Sequence, residues 1–167
     1  MAERVYTQTF GAVCALIVRG NKVLLVKEAM GIDKGKWHHG GGILEVGENP
    51  IEGIIREINE ETGYDFVPKN ILGIYSLVRT DIVGKQDEFG IVKPTPHPVK
   101  IVYLGEISEN PVRELADDIT EIKWFSPEEI EAMGQDTLRE IDTKQMVKDY
   151  FAGKKYPLEL LTHTVQK

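Results

Sequence analysis

The residue types able to do chemistry concentrate in one segment, Pro50 to Thr62, where Glu57, Glu60 and Glu61 crowd together. On a helical wheel they fall within an arc of about 100°, beside an apolar stripe of Ile51, Ile54, Ile55 and Ile58. Like charges three and four residues apart cost a helix roughly 0.2–0.5 kcal/mol per pair. These acids also stand near the helix C-terminus, where the macrodipole disfavours anions. Gly53, one turn earlier on the same face, costs about 1 kcal/mol relative to alanine. Each choice is locally unfavourable. Together they fit a face that holds a cation and leaves room beside it: three carboxylates with an open approach suit Mg²⁺ bridging to substrate phosphates. Arg56, four residues before Glu60, is placed to pair with it and limit the repulsion. The alternative is a solvated acidic surface, and the helix alone does not decide.

The elements around this segment must position it. Asn49 as N-cap, Pro50 in the first turn and Gly63 as stop predict a helix from Pro50 to Thr62. Gly40-Gly41-Gly42 just upstream forces an unusual backbone path. Gly11 to Arg19 and Lys22 to Lys27 read as a hairpin turning at Gly20-Asn21, and Met30 to Lys36 as a polar loop. Ile71 to Val78, Val99 to Ile107 and Ile122 to Phe125 read as strands. Between the first two, Thr80 to Pro98 carries three prolines and predicts a mobile loop. Ser126-Pro127-Glu128-Glu129 opens a helix with a capping box. A last amphipathic helix is expected over Leu138 to Phe151, burying Leu138, Ile141, Met146, Val147 and Tyr150. This order predicts a mixed sheet covered by helices, in one domain without repeats.

Composition narrows the function classes. The 167 residues, 41% hydrophobic and 28% charged, suit one globular domain. No apolar run reaches the roughly 20 residues of a membrane span, and MAERVYTQTF lacks the apolar core of a signal peptide. A cytoplasmic setting is expected, consistent with a single cysteine, Cys14, in an apolar run where it reads as a small buried hydrophobe rather than a nucleophile. A net charge of −7 argues against nucleic acid polymers and anionic membranes as partners. It also means that a polyphosphate substrate would need a divalent cation to approach.

Gly42, Glu48, Arg56, Glu57, Glu60, Glu61 and Gly63, in the run Gly42 to Tyr64, carry the spacing of a known signature, and the chain resembles the Nudix hydrolases on that ground. At average residue usage, seven fixed matches arise by chance on the order of 10⁻⁹ to 10⁻⁸ per starting position. Tyr64 stands where the family has a small aliphatic residue. Gly40 replaces a common proline, and His38-His39 stands where a leucine is frequent; both histidines are read as structural or solvent-facing rather than as metal ligands. Trp37 and Ile122 to Ile130 also follow the family's layout. The fold implied is an α/β/α sandwich around a mixed β-sheet, with a core over about 8–150 and a tail over 152–167. Gly153 to Leu160 resembles the end of a bacterial subgroup acting on nucleoside tri- and diphosphates and a thiamine-precursor pyrophosphate, and more loosely a human type that cleaves oxidised guanine nucleoside diphosphates.

The resemblance implies Mg²⁺-dependent hydrolysis of a diphosphate linkage in a nucleoside di- or triphosphate or a related small pyrophosphate, with Mn²⁺ able to substitute. Glu57, Glu60 and Glu61 would ligate metal, with a carbonyl of the Gly41-Gly42 turn. Arg56 would orient a glutamate. Glu48 would fix the loop against the helix rather than bind metal, and one of the metal-bound glutamates, Glu57 first, or a carboxylate from another loop would activate water. Lys27 is the candidate for the terminal phosphate and Glu121 for a base edge; each also reads as a plain surface charge. The proline of ADP-ribose-cleaving members, about 15 residues past the box, is absent at Ser76 to Thr80. A sensor or interaction module of the same fold without catalysis is the alternative, but such proteins lose box glutamates that this chain keeps. An isoprenoid diphosphate isomerase on the same fold would want a reactive cysteine, which Cys14 does not suit.

Overall fold

The computed structural model describes residues 9–87, 90 and 95–166. Its seven strands are β1 (Thr9–Arg19), β2 (Lys22–Glu28), β3 (Trp37–His38), β4 (Gly41–Ile43), β5 (Phe66–Ser76), β6 (His97–Ile107) and β7 (Ile119–Phe125). Among the described residues three α-helices accompany them: α1 (Pro50–Thr62), α2 (Pro127–Ala132) and α3 (Thr143–Phe151). The main path through the sheet runs β3-β2-β1-β6-β5, with β4 also on β1 and β7 also on β2. β1 and β6 are parallel, whereas the other pairings are antiparallel, so the sheet is mixed.

β1 explains why the layers form. Val13, Ala15 and Ile17 pack on one face with Ile54 and Ile58 of α1. Cys14 and Leu16 point the other way, toward Ile130 of α2 and Met146 and Val147 of α3. A strand covered on both faces reads as a continuous apolar run, as Ala12 to Ile17 does. The result is a sheet between helical layers, with a core on each side.

The helix α1 has the bounds its caps dictate. The Asn49 side chain accepts a hydrogen bond from the Ile51 amide at 3.0 Å, and Gly63 closes the helix at φ 73°. The Gly20-Asn21 hairpin forms, with Arg19 opposite Lys22. The Ser126 capping box is also present.

Other elements differ from the sequence reading. β5 begins at Phe66, five residues before Ile71, and runs through Pro68. It ends the main path, and its register slips beside the proline, so the missing N–H is tolerated there. β7 begins at Ile119 rather than Ile122. The last helix begins at Thr143 and not at Leu138. Leu138 is buried, but it gets there by bridging to Trp37 in extended conformation, while Ile141 stays 38% exposed. Helical periodicity and the short bridging segment both bury Leu138, for different reasons, but only the periodicity would bury Ile141.

The stretch from Thr80 to Pro98 is anchored at both stems. Leu77 N donates to Pro98 O at 3.2 Å and Arg79 N to Pro96 O at 3.0 Å, before a single 3₁₀ turn at Thr80–Ile82. Its centre, 88–89 and 91–94, lies outside the described residues. At the other end of the chain Tyr156 exchanges two backbone hydrogen bonds with Ile71. No described helix is long and apolar enough to cross a membrane.

Candidate functional site

The helix α1 presents its three acids at three depths. Glu61 is buried at 8% exposure, and its Oε2 accepts a hydrogen bond from the Gly41 amide at 2.7 Å. Burial pushes its pKa well above the ordinary carboxylate value, against the Gly41 hydrogen bond. Glu57 is half-buried, and burial raises its pKa too, although Arg56 pulls the other way. Glu60 is largely open to solvent, 3.4 Å from Arg56. Burial is the larger cause in both acids, outweighing Arg56 beside Glu57 and Arg139 near Glu61.

The glycine loop is shaped around them. A Cβ on Gly42 would lie 2.5 Å from the Glu57 carboxylate, so that carboxylate occupies the space a side chain would need. A Cβ on Gly41, at φ 140°, would collide with the Val13 carbonyl, and one on Gly40 would meet Ile58 and Glu61. Close approach therefore sets the glycine run at each position.

Arg56 holds the site together. Its Nε and one terminal nitrogen grip Glu48 at 2.9 and 3.2 Å, and the other reaches Glu57 at 2.8 Å and Glu60 at 3.4 Å. Its main partner is thus Glu48 and not Glu60. The same fork keeps the Glu48 carboxyl below its usual range. Gly53 belongs to this arrangement. A Cβ there would lie 2.9 Å from Glu48 Oε2, so its space serves Glu48 and Leu44 rather than an approach to a cation.

Among the described residues no three His, Cys, Asp or Glu side chains converge as a finished metal cluster. Glu57 is turned to Arg56 and Glu61 to the Gly41 amide. The donor set nevertheless fits a hard divalent cation: all its atoms are oxygens, and two of the acids lie in surroundings that disfavour their lone charge.

The sequence candidates Lys27 and Glu121 face each other across β2 and β7, with Nζ and Oε2 3.4 Å apart. Lys27 also lies 5.2 Å from the centre of the Trp37 ring. Neither residue lines the cavity at the glycine loop or the one that adjoins it. His38 and His39 are buried at 3% and 2%, hence structural and not solvent-facing. Burial pushes both imidazoles down to about 3, so both stay neutral. His39 bonds through Nδ1 to Thr143 Oγ1 at 2.8 Å and faces Glu140 at 3.3 Å. Cys14 lies at 5% exposure with its thiol pushed far up by burial, which makes it a poor nucleophile.

A buried charge network went unread in the sequence. Lys100, at 1% exposure in β6, donates to Glu140 at 2.6 Å and to both oxygens of Asp142 at 2.9 and 3.0 Å. Arg79 donates to Asp33 and Asp81 through four hydrogen bonds of 2.8–3.2 Å. Arg139 pairs with Glu28 at 2.9 Å. Lys100 was the available signal, as a lone lysine in the apolar run Val99 to Leu104; the others sit in segments whose distant partners no local pattern reveals.

Two cavities open beside this network. An inner one of about 110 Å³ touches Gly41, Gly42, Cys14 and His39, and an outer one of about 280 Å³ touches Met30, Ile32 and Ile82. They share a wall of Phe10, Pro98, Arg139 and Glu140.

Comparison with known proteins places this architecture. The NUDIX domain family model matches residues 8–149. The chain is 29% identical over 151 residues to an ADP-ribose pyrophosphatase of Methanocaldococcus jannaschii, covering 90% of this chain and 78% of that protein. It is 27% identical to the phosphatase NudJ of Escherichia coli, covering 89% and 86%. Among solved structures, a NUDIX hydrolase from Nitrosomonas europaea superposes with a TM-score of 0.73 at 33% identity, over 94% of this chain and 98% of that one.

Proposed function

The chain belongs to the Nudix hydrolase family, and from that premise we propose that it hydrolyses the diphosphate linkage of a nucleotide-like small molecule with the help of Mg²⁺ held by α1. The observation that supports this reading is the pair Glu57 and Glu61, half-buried and buried against the Gly41-Gly42 loop, with the Glu57 carboxylate in the space a Gly42 side chain would take and Glu61 on the Gly41 amide. Glu57, Glu61 and Glu60, with the Gly41 carbonyl, would hold the ion. Such an ion neutralises phosphate oxygens and lowers the pKa of bound water. It also removes the conflict between an anionic substrate and a chain of net charge −7.

The protein's own groups supply positioning. Arg56 ties Glu48 and Glu57 together, so that the loop ahead of α1 and the catalytic face of the helix move as one. Glu57, beside the glycine loop, would be the first choice to take a proton from the attacking water. The neutral, buried His39 and the paired Lys100–Glu140 close the inner cavity from the sheet side.

The proline absent near Ser76 to Thr80 had set ADP-ribose aside as a substrate, whereas one relative is named as an ADP-ribose pyrophosphatase. ADP-ribose therefore joins nucleoside di- and triphosphates as a candidate. The test is release of phosphate, pyrophosphate or nucleoside monophosphate from a panel of these compounds, with Mg²⁺, with Mn²⁺ and with chelator. Turnover that disappears with chelator is expected. A folded chain that cleaves none of the panel with either metal would overturn the enzymatic reading in favour of a ligand sensor.

A further inference from the structure

Three cations reach the inner cavity beside the glycine loop or the outer one that shares its wall: Lys100, Arg79 and Arg139. Their hydrogen-bonding capacity separates them. Lys100 has three protons and spends them on three carboxylate contacts. Arg79 spends its fork on Asp33 and Asp81 and is 5% exposed. Arg139 differs. Of its five N–H donors, one side-chain hydrogen bond is made, from a terminal nitrogen to Glu28 at 2.9 Å. Its Nε is buried without a hydrogen-bond partner, although Asp33 lies 3.5 Å away. The side chain remains 31% exposed, on the wall that the inner and outer cavities share.

Two of the carboxylates that line the cavities beside it have other partners. Glu140 is held by Lys100 and faces His39, and Asp33 is held by Arg79 and Lys36. An entering anion would therefore find one guanidinium with donors to spare. The backbone fixes it in place, because Arg139 N donates to Trp37 O at 2.9 Å. The outer cavity beyond it has a mixed lining: Met30, Ile32, Ile82 and Pro96 give it an apolar side suited to a planar organic group, facing the charged side of Glu28, Asp33 and Arg79.

We propose that Arg139 clamps a phosphate of the substrate at the junction of the two cavities, with the organic group of a nucleoside diphosphate seated in the outer one. This rests on the diphosphate-hydrolysing reading and adds a binding residue that the box motif does not contain. A planar guanidinium suits phosphate oxygens as a fork, and its contacts are stronger than neutral ones.

The test reads binding rather than turnover. ADP and inorganic pyrophosphate are titrated calorimetrically into the full chain in chelator, and the melting temperature is recorded for every variant. Arg139→Gln should weaken ADP by about ten- to a hundredfold, the range expected for losing charged hydrogen bonds. Arg139→Lys, which keeps the charge and loses the fork, should fall between. Glu28→Gln distinguishes clamp from scaffold: it frees Arg139 and should leave ADP binding equal or tighter. If Arg139 served only the fold, Glu28→Gln and Arg139→Gln would weaken ADP alike, and the proposal falls. It falls as well if Arg139→Gln binds ADP as the parent does, or if the parent binds neither probe. A larger effect on ADP than on pyrophosphate for Ile82→Asp would place the organic group in the outer cavity; equal effects would remove it from there. Hydrolysis is not read in this assay, so the metal-dependent reading stands or falls separately on the turnover panel.

Discussion

Gly41 and Gly42 are neighbours that lack a side chain for different reasons, and the difference can be measured. At Gly42 the obstacle to a methyl group is the Glu57 carboxylate, the mobile end of a side chain. At Gly41 the obstacle is the Val13 backbone, together with a φ of 140°. Gly42→Ala should therefore cut turnover about tenfold or more while melting changes little, because the carboxylate moves aside at small cost. Gly41→Ala should instead lower the melting temperature, since strained backbone cannot yield as cheaply. Equal effects on both readouts in the two variants would refute this division. Glu57→Gln and Glu61→Gln should each lower turnover by about a hundredfold or more, equivalent to roughly 2.7 kcal/mol of transition-state stabilisation. Both should stay folded, since each removes a charge that burial already disfavours. Wild-type-like turnover in either would remove it from the metal site.

At the scale of elements, α1 is held by its apolar stripe and not by its charges. Ile54 and Ile58 are fully buried, with Ile51 and Ile55 packed at the margin. Ile54→Ala should cost about 2–5 kcal/mol in denaturant unfolding, from lost transfer energy and the cavity left behind. An unchanged midpoint would mean the helix docks by another face. The loop ahead of β3 depends on a different bond. Burial opposes ionisation of Asp33 most strongly, yet the hydrogen bonds and charge of Arg79, with help from Arg139 and Lys36, hold its pKa below the ordinary value. A carboxyl depressed in the folded state contributes stability that is complete above about pH 4, the unfolded value, and is lost as pH falls through the native one. Acid unfolding of Asp33→Asn should therefore show a weaker pH dependence below about pH 4 than the parent. Superimposable acid profiles would show that the Arg79 pair carries no such linkage.

The whole molecule closes one edge of its sheet with its own tail. Ile71 and Tyr156 exchange two hydrogen bonds, and Leu158 and Leu161 pack against the core that α1 also covers. An uncovered edge strand is a template for association. Deleting residues 154–167 should lower the melting temperature, by about 2–4 °C for each kcal/mol lost in a chain of this size. It should also raise concentration-dependent aggregation, seen by light scattering. If neither changes, the tail is an appendage and not a cover.

Much of the site was legible because its signals are local. The acids of α1, the Asn49 and Gly63 caps and the glycine run lie within 24 residues, and each announces itself by a cost that only a partner nearby could justify. Hydrophobic periodicity likewise carried the layered fold, since burial on two faces demands the continuous apolar run of β1. Only the folded chain decided what Gly53 accommodates, that Arg56 serves Glu48 before Glu60, and that Leu138 is buried without being helical. It alone brought Lys100, Arg79 and Arg139 to the same cleft, from positions far apart in sequence. The reason is physical: periodicity reports which residues avoid water, whereas the pairing of buried charges depends on distances between segments that no local pattern encodes.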